Sequence, residues 1–154
     1  VERSRKIVLI SHCLLNVNSR VEGIARYPSI HPLICELADL EFGVIQLPCP
    51  ELVYEGLDRE PRDIEHYDTP EYRELCRTAA LKAADEVAEY IANDYHIAAV
   101  IGVEGSPSCA VRDPGIFTQE LLVVLEQYDI PFMSIDKHED ADGVDRILQE
   151  LAAD

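Results

Sequence analysis

The stretch Ile45-Gln46-Leu47-Pro48-Cys49-Pro50-Glu51 ends an apolar run on a cysteine held between two prolines. Proline fixes φ and has no N–H, so neither Pro48 nor Pro50 can extend a ladder inside a sheet. Cys49 therefore reads as a stiff exit from a strand, with a carboxylate two residues further on. The same arrangement occurs twice more. The run Lys6 to Ser11 leads into His12-Cys13, and Ile97 to Val103 leads into Gly105-Ser106-Pro107-Ser108-Cys109. Short apolar runs of this kind suit parallel strands buried on both faces. Val44 to Leu47 is the strand before Cys49, and Ile130 to Ile135 reads as a fourth.

Helical patterns lie between these strands. Ser29 or His31 caps a helix with Pro32 in its first turn, followed by Leu33, Ile34 and Leu37. Cys35 lies in this helix and reads as a small buried hydrophobe. Thr69-Pro70 opens a long helix to about Asn93, with Tyr72, Leu75, Cys76, Ala79, Ala83, Val87, Tyr90 and Ile91 at helical spacing. Cys76 falls on that stripe and reads as core. Asp113-Pro114 opens another helix, carrying Phe117, Leu121, Val124, Leu125 and Tyr128. Asp140 to Leu151 is the last, with Val144, Ile147, Leu148 and Leu151 inward. The stretches Cys13 to Tyr27 and Leu52 to Asp68 show no period and read as long loops, which usually serve function. Strands alternating with helices predict an α/β fold. We expect a single Rossmann-like domain over residues 1–154, with a small parallel sheet of about four strands and helices on both faces. Ligand sites of such sheets lie beyond the carboxyl ends of the strands. Cys13, Cys49 and Cys109 should therefore meet at one edge.

Composition narrows the function. The 154 residues hold 30 Asp and Glu against 13 Lys and Arg, a net charge of −17. Such a chain is no partner for a nucleic acid polymer, whose phosphates need clustered Lys and Arg. No run of about eighteen apolar residues predicts a membrane span. The chain goes from Val1-Glu2-Arg3-Ser4-Arg5-Lys6 straight into a strand without a signal-peptide core, so a cytoplasmic protein is expected. Five cysteines at long, irregular spacing make a poor disulfide framework and point to metal or nucleophile chemistry.

Three convergent thiolates leave a metal centre with an open position. One candidate is zinc with three cysteines and a water. The other is a 4Fe-4S cluster whose fourth iron has no protein ligand. Zinc motifs bring cysteines two to four residues apart, and the wide spacing here favours the cluster. Unrelated core cysteines are the alternative, opposed by the Pro and Gly around two of them. Glu51, beside Cys49, suits a general base toward water, against the plain reading of a solvated acid. Ser106 suits a donor to a substrate oxygen or sulfur, against a cap for its own turn. Gly102 and Gly105 allow close backbone approach to a cluster. Asn16, Asn18, Arg20, Arg26 and Arg62 are polar loop residues near the expected mouth.

Together, Ser11-x-Cys13-Leu14-Leu15, Cys49-Pro50-Glu51 with Gly56-Leu57 and Pro61-Arg62 downstream, and Ser106-Pro107-Ser108-Cys109 resemble the thiouracil desulfidase family. The likeness runs from about Ile7 to Phe117. Arg20-Val21-Glu22-Gly23 and Val103-Glu104-Gly105 depart from the family pattern and mark a divergent branch. The resemblance implies a C–S hydrolase that removes sulfur without redox chemistry. It implies a 4Fe-4S cluster on Cys13, Cys49 and Cys109, with Glu51 and Ser106 catalytic. The implied substrate is a small thiolated compound, thiouracil-like or another thiocarbonyl, with no nucleic acid polymer and no membrane as partner. A homodimer is compatible with this reading. The alternatives are an Fe–S protein that binds or transfers sulfide, and a structural zinc protein.

Overall fold

The computed structural model describes residues 1–136 and 141–153. Four strands, β1 (Lys6–Ile10), β2 (Gly43–Gln46), β3 (His96–Val103) and β4 (Phe132–Ile135), form one sheet in the order β2-β1-β3-β4. Every pairing is parallel. Ile10 pairs with Gln46 and Ile101, and Val103 pairs with Ile135. The helices are α1 (His12–Leu15), α2 (Pro32–Asp39), α3 (Pro50–Glu55), α4 (Ile64–Tyr67), α5 (Pro70–Ala92), α6 (Ile116–Val124) and α7 (Ala141–Ala152). Among the described residues, no helix is long and apolar enough to cross a membrane.

The strands are apolar on both sides because both sides are covered. Side chains alternate along a strand, so Ile7, Leu9, Ile97 and Val100 pack with Tyr72, Cys76, Ala80 and Val87 of α5 and Phe117 and Leu121 of α6. Val8, Ile10 and Ile101 point the other way, onto Leu33 and Leu37 of α2 and Ile147 and Leu151 of α7. Each such burial is worth about 1.5–3 kcal/mol. The expected α/β class, strand number and two helical layers are the ones observed.

Several local expectations need correction. The stretch 13–27 is not simply a loop. Cys13 lies in α1, and Asn16 winds a 3-10 turn over Val17–Ser19 by accepting the Asn18 N–H at 3.2 Å. The stretch 52–68 holds α3 and α4. Pro50 takes the first position of α3, where no N–H is required, and Asp63 caps α4 by accepting the His66 N–H. Helix α6 starts at Ile116, not at Asp113-Pro114. Asp113 has φ +47°, and the N–H groups of Ile116 and Thr118 donate to the carbonyls of Pro107 and Ser108. Cys35 is exposed, not buried. It sits two residues from Leu33 and Leu37, about 200° around the helix from each. In α7 the inward residues are as expected, while Asp140 lies outside the described residues.

The cap of α2 gives a pH-dependent stability. His31 is buried, and its Nδ1 accepts the Leu33 N–H at 3.0 Å. Burial, then the nearby Arg20 charge, lowers its pKa to about 4. Protonation at Nδ1 would also destroy the acceptor. An unfolded histidine titrates near 6.5, so the unfolded chain takes up the proton first as pH falls. This stability is complete above about pH 6.5 and is lost between there and pH 4. His31→Asn keeps an uncharged cap. Urea unfolding should show wild type losing about 2 kcal/mol more than the variant between pH 7 and pH 5.

Candidate active site at the carboxyl edge of the sheet

Strands β2, β1 and β3 are neighbours, and a cysteine follows each. Cys13 is in α1, Cys49 caps α3, and Cys109 sits in the turn after β3. All three line one cavity of about 370 Å³, as do Glu51 and Ser106. Cys35 and Cys76 do not reach it. Cys35, Cys49, Cys76 and Cys109 are in no disulfide. The convergence is also electrostatic. Burial raises the pKa of the Cys109 thiol, and negative charge on Cys49 and Cys13 raises it further. Cys49 is raised by burial, with smaller contributions from Glu51 and Cys13.

The turn carrying Cys109 is held by its own side chains. Ser106 Oγ accepts the N–H of Ser108 at 3.2 Å and of Cys109 at 3.0 Å. Ser106 thus caps its own turn, and its hydroxyl proton remains to be donated. Glu104 accepts the N–H groups of Val111 at 2.8 Å and Arg112 at 3.2 Å, and pairs with the Arg112 side chain. Gly105 has φ +82°, which suits only glycine here. Gly102 is required for a different reason than cluster approach: a Cβ there would lie 2.1 Å from the Cys109 carbonyl oxygen. Gly102→Ala should cost about 1–3 kcal/mol in urea unfolding and move Cys109 from the cavity wall.

Glu51 lies in the first turn of α3 and is mostly buried. Ser108 Oγ donates to its Oε2 at 2.8 Å, and Ser108 in turn pairs with the Tyr72 hydroxyl at 2.5 Å. Burial raises the Glu51 pKa, opposed by Ser108, Arg59 and Tyr67. Arg59 was not singled out from the sequence, although it lines the cavity with only 4 % of its side chain exposed. It donates to the carbonyls of Gly56 at 2.9 Å and Ser19 at 2.8 Å, and its Nε lies 3.8 Å from Glu51 Oε1. Among the described residues, that Nε is the buried side-chain polar atom left without a hydrogen-bond partner. The charged neighbour of this buried donor is the Glu51 carboxylate.

Arg20, Arg26 and Arg62 also line the cavity, as expected; Asn16 and Asn18 do not, being bonded to each other. Four of the chain's thirteen basic residues therefore face one cavity in a molecule of net charge −17. The loop bearing Arg20 and Arg26 is tied down: Tyr27 donates to the Cys13 carbonyl at 2.8 Å, and the His31 N–H to the Leu14 carbonyl at 2.9 Å.

The chain is 34% identical, over 151 residues, to "Uncharacterized protein MJ0003" of Methanocaldococcus jannaschii. The alignment covers 97% of this chain and 96% of that protein. The chain belongs to the MJ0003 family. The match to MJ0003 extends over nearly all of both sequences. No family model matches the chain, and no solved structure matches it.

The donor set can be tested against the metals expected from sequence. A single zinc ion holds sulfurs at about 2.3 Å and hence roughly 4 Å from one another. Among the described residues, no three His, Cys, Asp or Glu side chains are set to hold a single ion. A 4Fe-4S cluster binds each thiolate at a separate iron and so spreads them more widely. Cys13, Cys49 and Cys109 line one cavity, which offers three thiolates to a centre of this kind.

Proposed function

We propose that this protein is a desulfidase. It hydrolyses a small thiocarbonyl compound, such as a thiolated nucleobase, to the corresponding carbonyl and hydrosulfide. The observation that carries this reading is the meeting of Cys13, Cys49, Cys109, Glu51 and Ser106 on one cavity wall. The motif likeness to thiouracil desulfidases supports it.

A 4Fe-4S cluster on the three cysteines would supply a Lewis-acidic iron with a free position for the thiocarbonyl sulfur. The chain supplies the rest. Glu51 takes a proton from water, and the water oxygen attacks the thiocarbonyl carbon. Ser108 holds the Glu51 carboxylate in place from one side. The Ser106 hydroxyl donates to the substrate and steadies the charge that develops on it, while Arg59, 3.8 Å from Glu51, holds positive charge beside the base. The C–S bond breaks, carbon keeps the water oxygen, and sulfur leaves as hydrosulfide; no electrons are gained or lost overall. A sulfide carrier would have no use for a base where Glu51 stands.

Anaerobically purified protein, assayed for iron, acid-labile sulfide and sulfide release from a panel of thio-nucleobases and thio-nucleosides, tests the proposal. About four irons per chain and release from at least one compound are expected. A colourless zinc protein would end the cluster reading. A brown protein that releases nothing from the panel would end the desulfidase reading.

A further inference from the structure

Two buried hydroxyls stand in line behind Glu51. Ser108 is 1 % exposed, and its backbone is held on both sides: its N–H donates to Ser106 Oγ at 3.2 Å, and its carbonyl accepts the Thr118 N–H at 3.0 Å. Gly115 makes this seat possible, since a Cβ there would lie 2.4 Å from the Ser108 carbonyl carbon. The Ser108 hydroxyl bridges two neighbours, Glu51 Oε2 at 2.8 Å and the Tyr72 hydroxyl at 2.5 Å. Tyr72 is fixed as well. Its N–H donates to Thr69 Oγ1 at 3.2 Å at the start of α5, and its ring packs on those of Tyr54 and Tyr67, with centroids 5.1 and 4.8 Å away. Neither Tyr72 nor Ser108 lines the cavity.

The protons of this line run in one direction. A serine hydroxyl has one proton to give, and a carboxylate only accepts. Ser108 gives its proton to Glu51, so the bond between the two hydroxyls is donated by Tyr72, whose phenol keeps its proton at neutral pH. Packing alone does not account for this row. A phenylalanine would fill the Tyr72 ring site, and an alanine would fit the clamped backbone at 108. What the two oxygens add is a directed donor to Glu51. Arg59 contributes charge to the carboxylate from 3.8 Å, a separation too long for a directed hydrogen bond.

The geometry points to Tyr72 and Ser108 as positioning residues: the line from Tyr72 through Ser108 to Glu51 Oε2 aims the carboxylate into the cavity in one orientation. This rests on the reading of Glu51 as the base toward water. The anchor of the line is α5, a helix of 23 residues, whereas Glu51 stands on α3, a helix of six. The long helix thus sets the direction of a side chain that a short one carries. Tyr72 and Ser108 act through Glu51 and touch no substrate.

The test uses the full-length holoprotein with 2-thiouracil, as wild type, Ser108→Ala, Tyr72→Phe and the double variant, which removes both hydroxyls so that neither is left facing an apolar partner. Ser108→Ala should lose about tenfold to a hundredfold in kcat, the range for a misplaced reacting group, with KM within about twofold and iron per chain unchanged. Tyr72→Phe should lose about fivefold, roughly one hydrogen bond. Added to Ser108→Ala, it should lose nothing further, because Tyr72 acts through Ser108. In a second arm, crystal structures of the variants should show the Glu51 carboxylate turned from its wild-type orientation on an unmoved α3 backbone. Wild-type kcat in Ser108→Ala, iron lost in step with kcat, losses that multiply in the double variant, or a Glu51 unmoved in every variant overturns the assignment. A wild type without sulfide release sinks the desulfidase reading separately, and the crystal structures then still decide whether the two hydroxyls aim Glu51.

Discussion

Glu51→Gln should lower sulfide release by about a hundredfold or more, the usual range for losing a general base, while iron content stays at the wild-type level. The carboxamide has nearly the same shape, and its oxygen can still accept the Ser108 hydrogen bond. What it lacks is basicity. Burial raises the Glu51 pKa, which makes the carboxylate a stronger base, and the Ser108 hydrogen bond and the Arg59 charge oppose the rise. The variant also separates enzyme from carrier. If the protein only stored sulfide, Glu51→Gln would load and release sulfide as wild type does. Glu51→Gln with undiminished desulfuration would remove the base from the mechanism.

The second large effect concerns iron. Cys13→Ala, Cys49→Ala and Cys109→Ala should each abolish iron retention, measured per chain after anaerobic reconstitution. The proposed ligation uses only three protein ligands and leaves no spare thiolate. Cys76 lies in the α5 core with no exposed surface, outside the cavity lining. Cys35 faces solvent from α2. Cys35→Ala and Cys76→Ala should therefore keep their iron. Cys76→Ala should also unfold at lower urea, since it empties space among packed side chains. Loss of iron in either control would show that the ligand set is wrong.

The fold was legible where apolar runs were long enough to show a period. Lys6–Ile10, His96–Val103 and the stripe of α5 announced themselves in this way. Helices α1, α3 and α4 have four to six residues, too few to display 3.6-residue spacing, so their segments read as loops. Cys35 was misjudged because residue type suggested burial while its position on the helix set exposure. In the site, Glu51 was visible through its spacing from Cys49. Ser108 and Tyr72 were not, because their contacts span 57 and 36 residues of chain. Arg59 looked like one more charge in an irregular stretch. Its meaning lies in what surrounds it: two carbonyls, one acid and one unanswered donor.

The clamping of the Cys109 turn has a consequence for maintenance. Glu104 and Ser106 tie it from within, the first amides of α6 grip Pro107 and Ser108 from outside, and the bare α-carbon of Gly102 seats the Cys109 carbonyl. The turn is thus held by the polypeptide's own bonds. On the proposed reading, a cluster lost to oxygen would be recast in the same die, and damage would call for new iron and sulfide, not a new protein.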